Sequence, residues 1–140
     1  MRQKLLIIAI ATIFSTNMTL GAKNSSPTLK KVMQDLERDM ANLGKGIFYQ
    51  DFKVIKQAAD NVAHHPRAKD QLPTVMKTLK TRLSKFKKYD TKVHEAAKGI
   101  MKLAEKEKIN EIVKKQEIIV RNCVGCHNQF RDELSNVLSK

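Results

Sequence analysis

Apolar residues recur at steps of three and four from residue 27 onward, and the alternation typical of a half-buried strand is missing. Proline, which interrupts helices, occurs only three times. The pattern predicts four helices, which begin at Ser26-Pro27, near Tyr49, before Phe86 and near Asn110. Gly44 and Gly46 are expected to end the first helix, and a short helix is expected from Pro73 within a long crossover. We therefore predict an all-α fold, an antiparallel four-helix bundle with up-down-up-down order.

The first 22 residues have the layout of a secretory signal peptide. Arg2 and Lys4 make a basic start, an apolar run follows from Leu5 to Phe14, and a polar stretch leads to Gly21 and Ala22. The apolar run is too short to span a bilayer, although an uncleaved anchor is an alternative. We predict a signal peptide over residues 1–22 and one exported domain over residues 23–140, with no stable membrane span after cleavage.

The chain is strongly basic, with 27 Lys+Arg against 14 Asp+Glu and a formal net charge of +13. Nucleic acid is not the expected partner, because the lysines are spread over every segment, aromatic residues make up only 5%, and an exported protein rarely meets nucleic acid. The charge instead predicts a solvated surface that steers the protein towards acidic partners or anionic membrane surfaces.

The two cysteines of the chain lie in one short run, "RNCVGCHNQF". On a helix, Cys123, Cys126 and His127 fall at positions i, i+3 and i+4, on one face and within about one turn. Cys-x-x-Cys-His is the attachment signal for c-type haem, in which each thiol bonds a vinyl group and the histidine binds the iron. The motif predicts one covalently attached haem c.

Three kinds of site without haem are less favoured for this motif. A zinc site needs about four ligands, and His64, His65 and His94 do not form a second paired motif. A thioredoxin-like redox pair normally follows a strand, which this sequence does not offer. A disulfide between Cys123 and Cys126 would close a very short loop and stabilise little.

The stretch "CVGCHNQFR" resembles the C-terminal signature of class II cytochromes c, the cytochrome c′-like four-helix-bundle family. "DLERDMANL" is similar to the first-helix segment of the six-coordinate members, which have His/Met ligation. "IKQAADNVAHHP" and "FKKYDTKVHEAA" resemble stretches of an exported bacterial subgroup. The resemblance covers nearly all of residues 27–134. It implies haem near one end of the bundle, and relatives of this fold often pair through their first two helices, so a homodimer is possible.

The ligand opposite His127 decides the function. Counted at 1.5 Å per residue, Met40 lies about 20 Å beyond Pro27 and His127 about 20 Å before Lys140, so the two share a level. Met33 is displaced by about 10 Å on this count and is expected to fill the core. The resemblance also puts Met40 at the position of the family's methionine ligand. An open iron, or a histidine in this position, is an alternative.

Two further residues are expected near the haem. Phe130 is expected to pack on the haem or on the face of His127, and Arg131 to pair with a propionate or tune the histidine, with an exposed basic residue as the alternative. His64, His65 and His94 are expected to be structural. Together these expectations describe a periplasmic one-electron carrier that is not an enzyme and that docks an acidic redox partner. The alternative is a five-coordinate protein that binds NO or CO.

Overall fold

The computed structural model describes residues 25–139. They form four main helices and a short fifth one, with no strand in this part of the chain, so the all-α prediction is confirmed. The helices are α1 (Leu29–Tyr49), α2 (Phe52–Ala63), α3 (Leu72–Leu79), α4 (Leu83–Ala104) and α5 (Ile109–Leu138). The expected signal peptide, residues 1–22, lies outside the described residues. Within them, no helix combines the length and apolar character needed to cross a membrane.

The first helix begins and ends later than its sequence signals indicate. Its N-cap is Thr28, whose side-chain oxygen accepts a hydrogen bond from the Lys31 amide at 3.2 Å. The helix continues through Gly44 and Gly46 to Tyr49. A methyl group on Gly46 would lie 2.9 Å from Ile55 Cγ1 and 3.1 Å from the Ile55 backbone nitrogen. This glycine therefore permits close packing of α1 on α2 and does not end the helix.

Consecutive main helices pack on one another, α1 on α2, α2 on α4 and α4 on α5, whereas α1 and α5 make few direct contacts. In each packed pair, contacts nearer the start of one helix reach residues nearer the end of the other. The contacts are Asp39–Asn61 and Gly46–Ile55, then Ala63–His94 and Lys56–Glu105, then Arg82–Glu133 and Tyr89–Gly125. The short helix α3 lies against the last turns of α5.

The buried residues form two clusters. The main core joins the four long helices through fully buried side chains such as Leu43, Ile55, Ile100, Ile112 and Ile119. A smaller cluster, the α3–α5 cluster, consists of Val75, Leu79, Phe130 and Leu134. The long final helix thus contributes to both clusters, and the cysteine motif lies between its two contributions.

Candidate cofactor site

The cysteine motif lies in the interior of α5, where no proline or cap interrupts the helix. Cys123 is partly buried and packs against the main core, and Cys126 is partly buried against the α3–α5 cluster. The His127 side chain is exposed. Both cysteines are free thiols. The helix therefore brings two thiols and one imidazole together at the junction of the two buried clusters.

The environment keeps both thiols protonated at neutral pH. Burial raises the pKa of Cys126 to about 11, with further contributions from the nearby Cys123 and the Asp90 carboxylate. Burial also raises the pKa of Cys123. Thiol–disulfide exchange needs the free thiolate, which such surroundings disfavour. A redox-active dithiol is therefore a poor match for this pair.

Tyr89 of α4 holds the motif from one side. A methyl group on Gly125 would lie 2.9 Å from Tyr89 Cε1, so the glycine between the cysteines lets the aromatic ring approach the helix backbone. The Gln129 side-chain amide donates a hydrogen bond to the Tyr89 hydroxyl oxygen at 2.6 Å. Contacts on either side of the second cysteine thus fix the position of α5 on α4.

Exposed apolar side chains continue from the motif along α5. Val113 and Val120 are about half exposed, and Val124 between the cysteines is 51% exposed. Ile119 is fully buried, because it lies on the side of the helix that meets the core. We call Val113, Val120 and Val124 the apolar strip. This surface lies beside His127, and its three valines belong to neither buried cluster.

Both methionines considered as ligands lie on α1, seven residues and therefore about two turns apart. Met40 is partly buried and packs against the main core. Met33 is 36% exposed and belongs to neither buried cluster. The core packing expected for Met33 is therefore not observed, whereas the ligand role expected for Met40 stays a prediction.

Phe130 and Arg131 occupy contrasting surroundings. Phe130 is buried in the α3–α5 cluster, where its ring meets Phe86 edge-on at 5.7 Å and Tyr89 at 6.5 Å. Its contacts are with protein side chains of α3 and α4. The Arg131 side chain is exposed and forms a surface ion pair with Asp132 at 3.2 Å. The exposed alternative for Arg131 describes what is observed, and its expected haem contact stays a prediction.

A second group of polar side chains was not predicted as a site. His65, which follows α2, meets Asp90 and His94 of α4, and their potential ligand atoms all lie within 4.8 Å of one another. The sequence indicates only the one-turn spacing of Asp90 and His94. His65 is 25 residues away from Asp90 along the chain, and only the packing of α2 on α4 brings it to that pair.

Comparisons with models of known protein families, with curated proteins and with solved structures gave no match.

Proposed function

We propose that this protein is an exported, periplasmic cytochrome with one covalent haem c, and that it carries single electrons and has no substrate of its own. Cys123 and Cys126 would hold the haem through thioethers, and His127 would bind its iron. The observation that carries the proposal is the placement of two free, protonated thiols and an exposed imidazole on one stretch of α5.

The surface next to the motif fits such a group. Haem is a flat and largely apolar molecule, and the half-exposed valines of the apolar strip would give it an apolar contact beside His127. Because α1 makes few direct contacts with α5, the strip is not closed off by tight helix packing. When bound, haem supplies a one-electron iron couple. The residues of this chain would anchor the haem, donate a nitrogen ligand to its iron and cover part of it with apolar side chains.

The contact pairs between consecutive helices support an antiparallel, up-down-up-down bundle, in which α1 runs opposite to α5. A methyl group on Gly44 would lie 3.8 Å from the Gln116 side-chain nitrogen, so the two helices are level near these residues. Met33 lies eleven residues before Gly44 on α1, and His127 lies eleven residues after Gln116 on α5. Because the helices run in opposite directions, Met33 and His127 are then level with each other.

This register differs from the one counted from the chain ends, in which Gly44 would be level with Cys123, seven residues further along α5. The reason is that the two helices do not end flush. The last turns of α5 extend past the start of α1 and pack on α3. In this register Met33, and not Met40, is level with His127, and Met33 is not needed to fill either buried cluster. Met33 would then be the better candidate for the second iron ligand. We therefore propose Met33 in place of Met40.

Covalent haem is the direct test of the proposed function. The full chain, produced with its own leader in a bacterium that assembles c-type cytochromes, is expected to give a pyridine haemochrome spectrum and a mass increase of one haem. Joint Cys123→Ala and Cys126→Ala substitution should abolish both signals, whereas His64→Ala, at an exposed histidine paired with Asp60, should leave them unchanged. Absence of covalent haem from the exported wild type would overturn the proposal.

A basic groove on α4 is suited to docking the acidic partner. Lys85, Lys88 and Lys92 line it together with Tyr89, the residue that touches Gly125 of the motif. Positive charge here would attract an anionic partner to the α4 side of the motif, where Tyr89 meets Gly125.

Charge reversal at this groove should therefore slow electron transfer. We expect Lys85→Glu, Lys88→Glu and Lys92→Glu together to lower the rate at which ferricyanide, an anionic oxidant, oxidises the reduced protein by about tenfold at low salt. The wild-type rate should also fall with ionic strength, since charges are screened over about 10 Å at 0.1 M salt. The matched control reverses the exposed Lys106, Lys108 and Lys114 near the turn between α4 and α5. Equal slowing in both triple variants would show that only net charge matters.

A further inference from the structure

We propose that His65, Asp90 and His94 form a site for a single divalent transition-metal ion, with zinc as the ion it suits best. This site is separate from the cysteine motif and does not depend on the proposed haem. Imidazole nitrogen and carboxylate oxygen are both preferred zinc ligands, and three protein ligands leave a fourth position for water. The ligand atoms all lie within 4.8 Å of one another.

The distances in the cluster suit a shared cation better than direct hydrogen bonds. His65 Nε2 lies 3.5 Å from Asp90 Oδ1, and His94 Nε2 lies 3.5 Å from Asp90 Oδ2. Hydrogen bonds between nitrogen and oxygen are normally about 2.7–3.2 Å long. Two ligand atoms bound to one tetrahedral zinc ion at about 2.0–2.2 Å are separated by roughly 3.3–3.6 Å. Each histidine nitrogen thus lies at a ligand-like separation from one of the two carboxylate oxygens. Rotations of the rings and of the carboxylate would bring one atom of each residue onto a single ion.

Backbone carbonyls select the tautomer that a metal requires. His94 Nδ1 lies 2.6 Å from the Ala63 carbonyl oxygen, and His65 Nδ1 lies 3.2 Å from the Pro66 carbonyl oxygen. A carbonyl oxygen can only accept, so each Nδ1 donates its proton to it. In the neutral rings the Nε2 lone pairs are then directed towards the carboxylate. Histidine ligands in metal sites are commonly oriented in this way, by a hydrogen bond from the nitrogen that does not bind the metal.

The charges of the cluster also call for a cation. The two rings stack with their centroids 4.6 Å apart, so protonating both would place two positive charges face to face. Burial alone would raise the pKa of Asp90, but a proton on His65 or His94 would place positive charge beside the carboxylate, and these interactions lower the pKa so that Asp90 stays charged. With both imidazoles neutral, the carboxylate leaves a net negative site that would attract one divalent ion.

The site is reachable from solvent without being a loose surface group. The side chains of His65 and His94 are 11% and 23% exposed, while that of Asp90 is 47% exposed. The neighbouring His64 is excluded from the cluster, because its Nδ1 pairs with Asp60 at 2.8 Å. A bound ion would tie the chain that leaves α2 to the middle of α4, next to Tyr89 and the cysteine motif.

The site is tested by removing any bound metal from the full chain with a chelator, removing the chelator, and then titrating the protein with zinc in a calorimeter. We expect one zinc ion per chain, and a weakening of at least about tenfold in His65→Gln, His94→Gln and Asp90→Asn. His64→Gln is the matched control, because it removes an adjacent histidine that points elsewhere, and its zinc affinity should equal that of the wild type. Melting temperatures in chelator identify any variant that has lost its fold, and Asp90→Asn keeps the side-chain size if a histidine variant does not fold.

A cysteine variant distinguishes zinc binding at the motif from zinc binding at the proposed site. Joint Cys123→Ser and Cys126→Ser substitution should leave zinc binding intact, and cobalt bound in place of zinc should lack the strong near-ultraviolet absorption of thiolate ligation. Zinc binding that survives Asp90→Asn and His94→Gln but disappears in the cysteine variant would overturn the proposal, as would no stoichiometric binding in the wild type. Haem content is measured separately, so failure of the haem proposal and failure of the zinc proposal give different results.

Discussion

Met33→Ala is expected to open the sixth position of the iron. The oxidised wild type should be low-spin, with the weak long-wavelength band of sulfur-to-iron charge transfer, and its reduced form should hardly bind carbon monoxide. The Met33→Ala variant should be high-spin, should bind carbon monoxide readily and should have a lower reduction potential, because a thioether ligand raises the potential. Absorption spectra of both oxidation states and a redox titration measure these changes.

Met40→Ala is the matched control, since it removes the same side chain from the same face of α1, two turns away. Its effect should be confined to packing, with a loss of about 2–5 kcal/mol in the free energy of unfolding and an unchanged spectrum. If Met40→Ala opens the iron and Met33→Ala does not, the register counted from the chain ends applies and Met40 is the ligand. A high-spin wild type that binds carbon monoxide would instead support the gas-binding alternative.

Phe130→Ala is expected to lower the free energy of unfolding by about 3–5 kcal/mol, the usual cost of deleting a buried aromatic ring. The ring is only 2% exposed, and it joins α5 to Phe86 and Tyr89 of α4 and to the α3 residues of its cluster. The edge-on aromatic contacts add to the loss. Urea unfolding followed by circular dichroism at 222 nm measures the change.

Phe48→Ala provides the control for the loss of a phenyl ring, because Phe48 is 88% exposed near the end of α1. Its free energy of unfolding should stay within about 0.5 kcal/mol of the wild type. Since Phe130 packs on protein side chains, its removal should leave the position of the haem absorption bands unchanged. A large spectral shift with little loss of stability would assign Phe130 to the haem, as the sequence predicts.

The sequence predicts the helices well because their signal is local. Apolar spacing of three and four residues identifies each long helix, and Pro73 lies at the start of α3, close to where the short helix is expected. Gly46 misleads this reasoning. Glycine often ends helices, but at this position it makes room for Ile55, which is a requirement of tertiary packing that the local sequence does not contain.

The parts of the candidate site differ in the same way. The cysteines and His127 are found from their spacing alone, because they share one helix turn. Which residues of α1 lie beside which residues of α5 depends on how far the end of α5 extends past the start of α1. Residue counts from the chain ends do not give this length. His65 also needs tertiary structure, since only the packing of α2 on α4 brings it to Asp90.

The sparse contact between α1 and α5 also affects how the chain folds. The extensive contacts of the main helices all join one such helix to the next along the chain, so the chain segments that must close are shorter than the one between α1 and α5, which lowers the entropic cost and favours fast folding. The contact between Gly44 and Gln116 costs more entropy, because a chain segment of roughly seventy residues must close before the contact forms. The boundary between the first and last helices can therefore close last and reopen first while the other helix pairs stay intact. Anything that spans it then acts as a cross-link between the two ends of the fold.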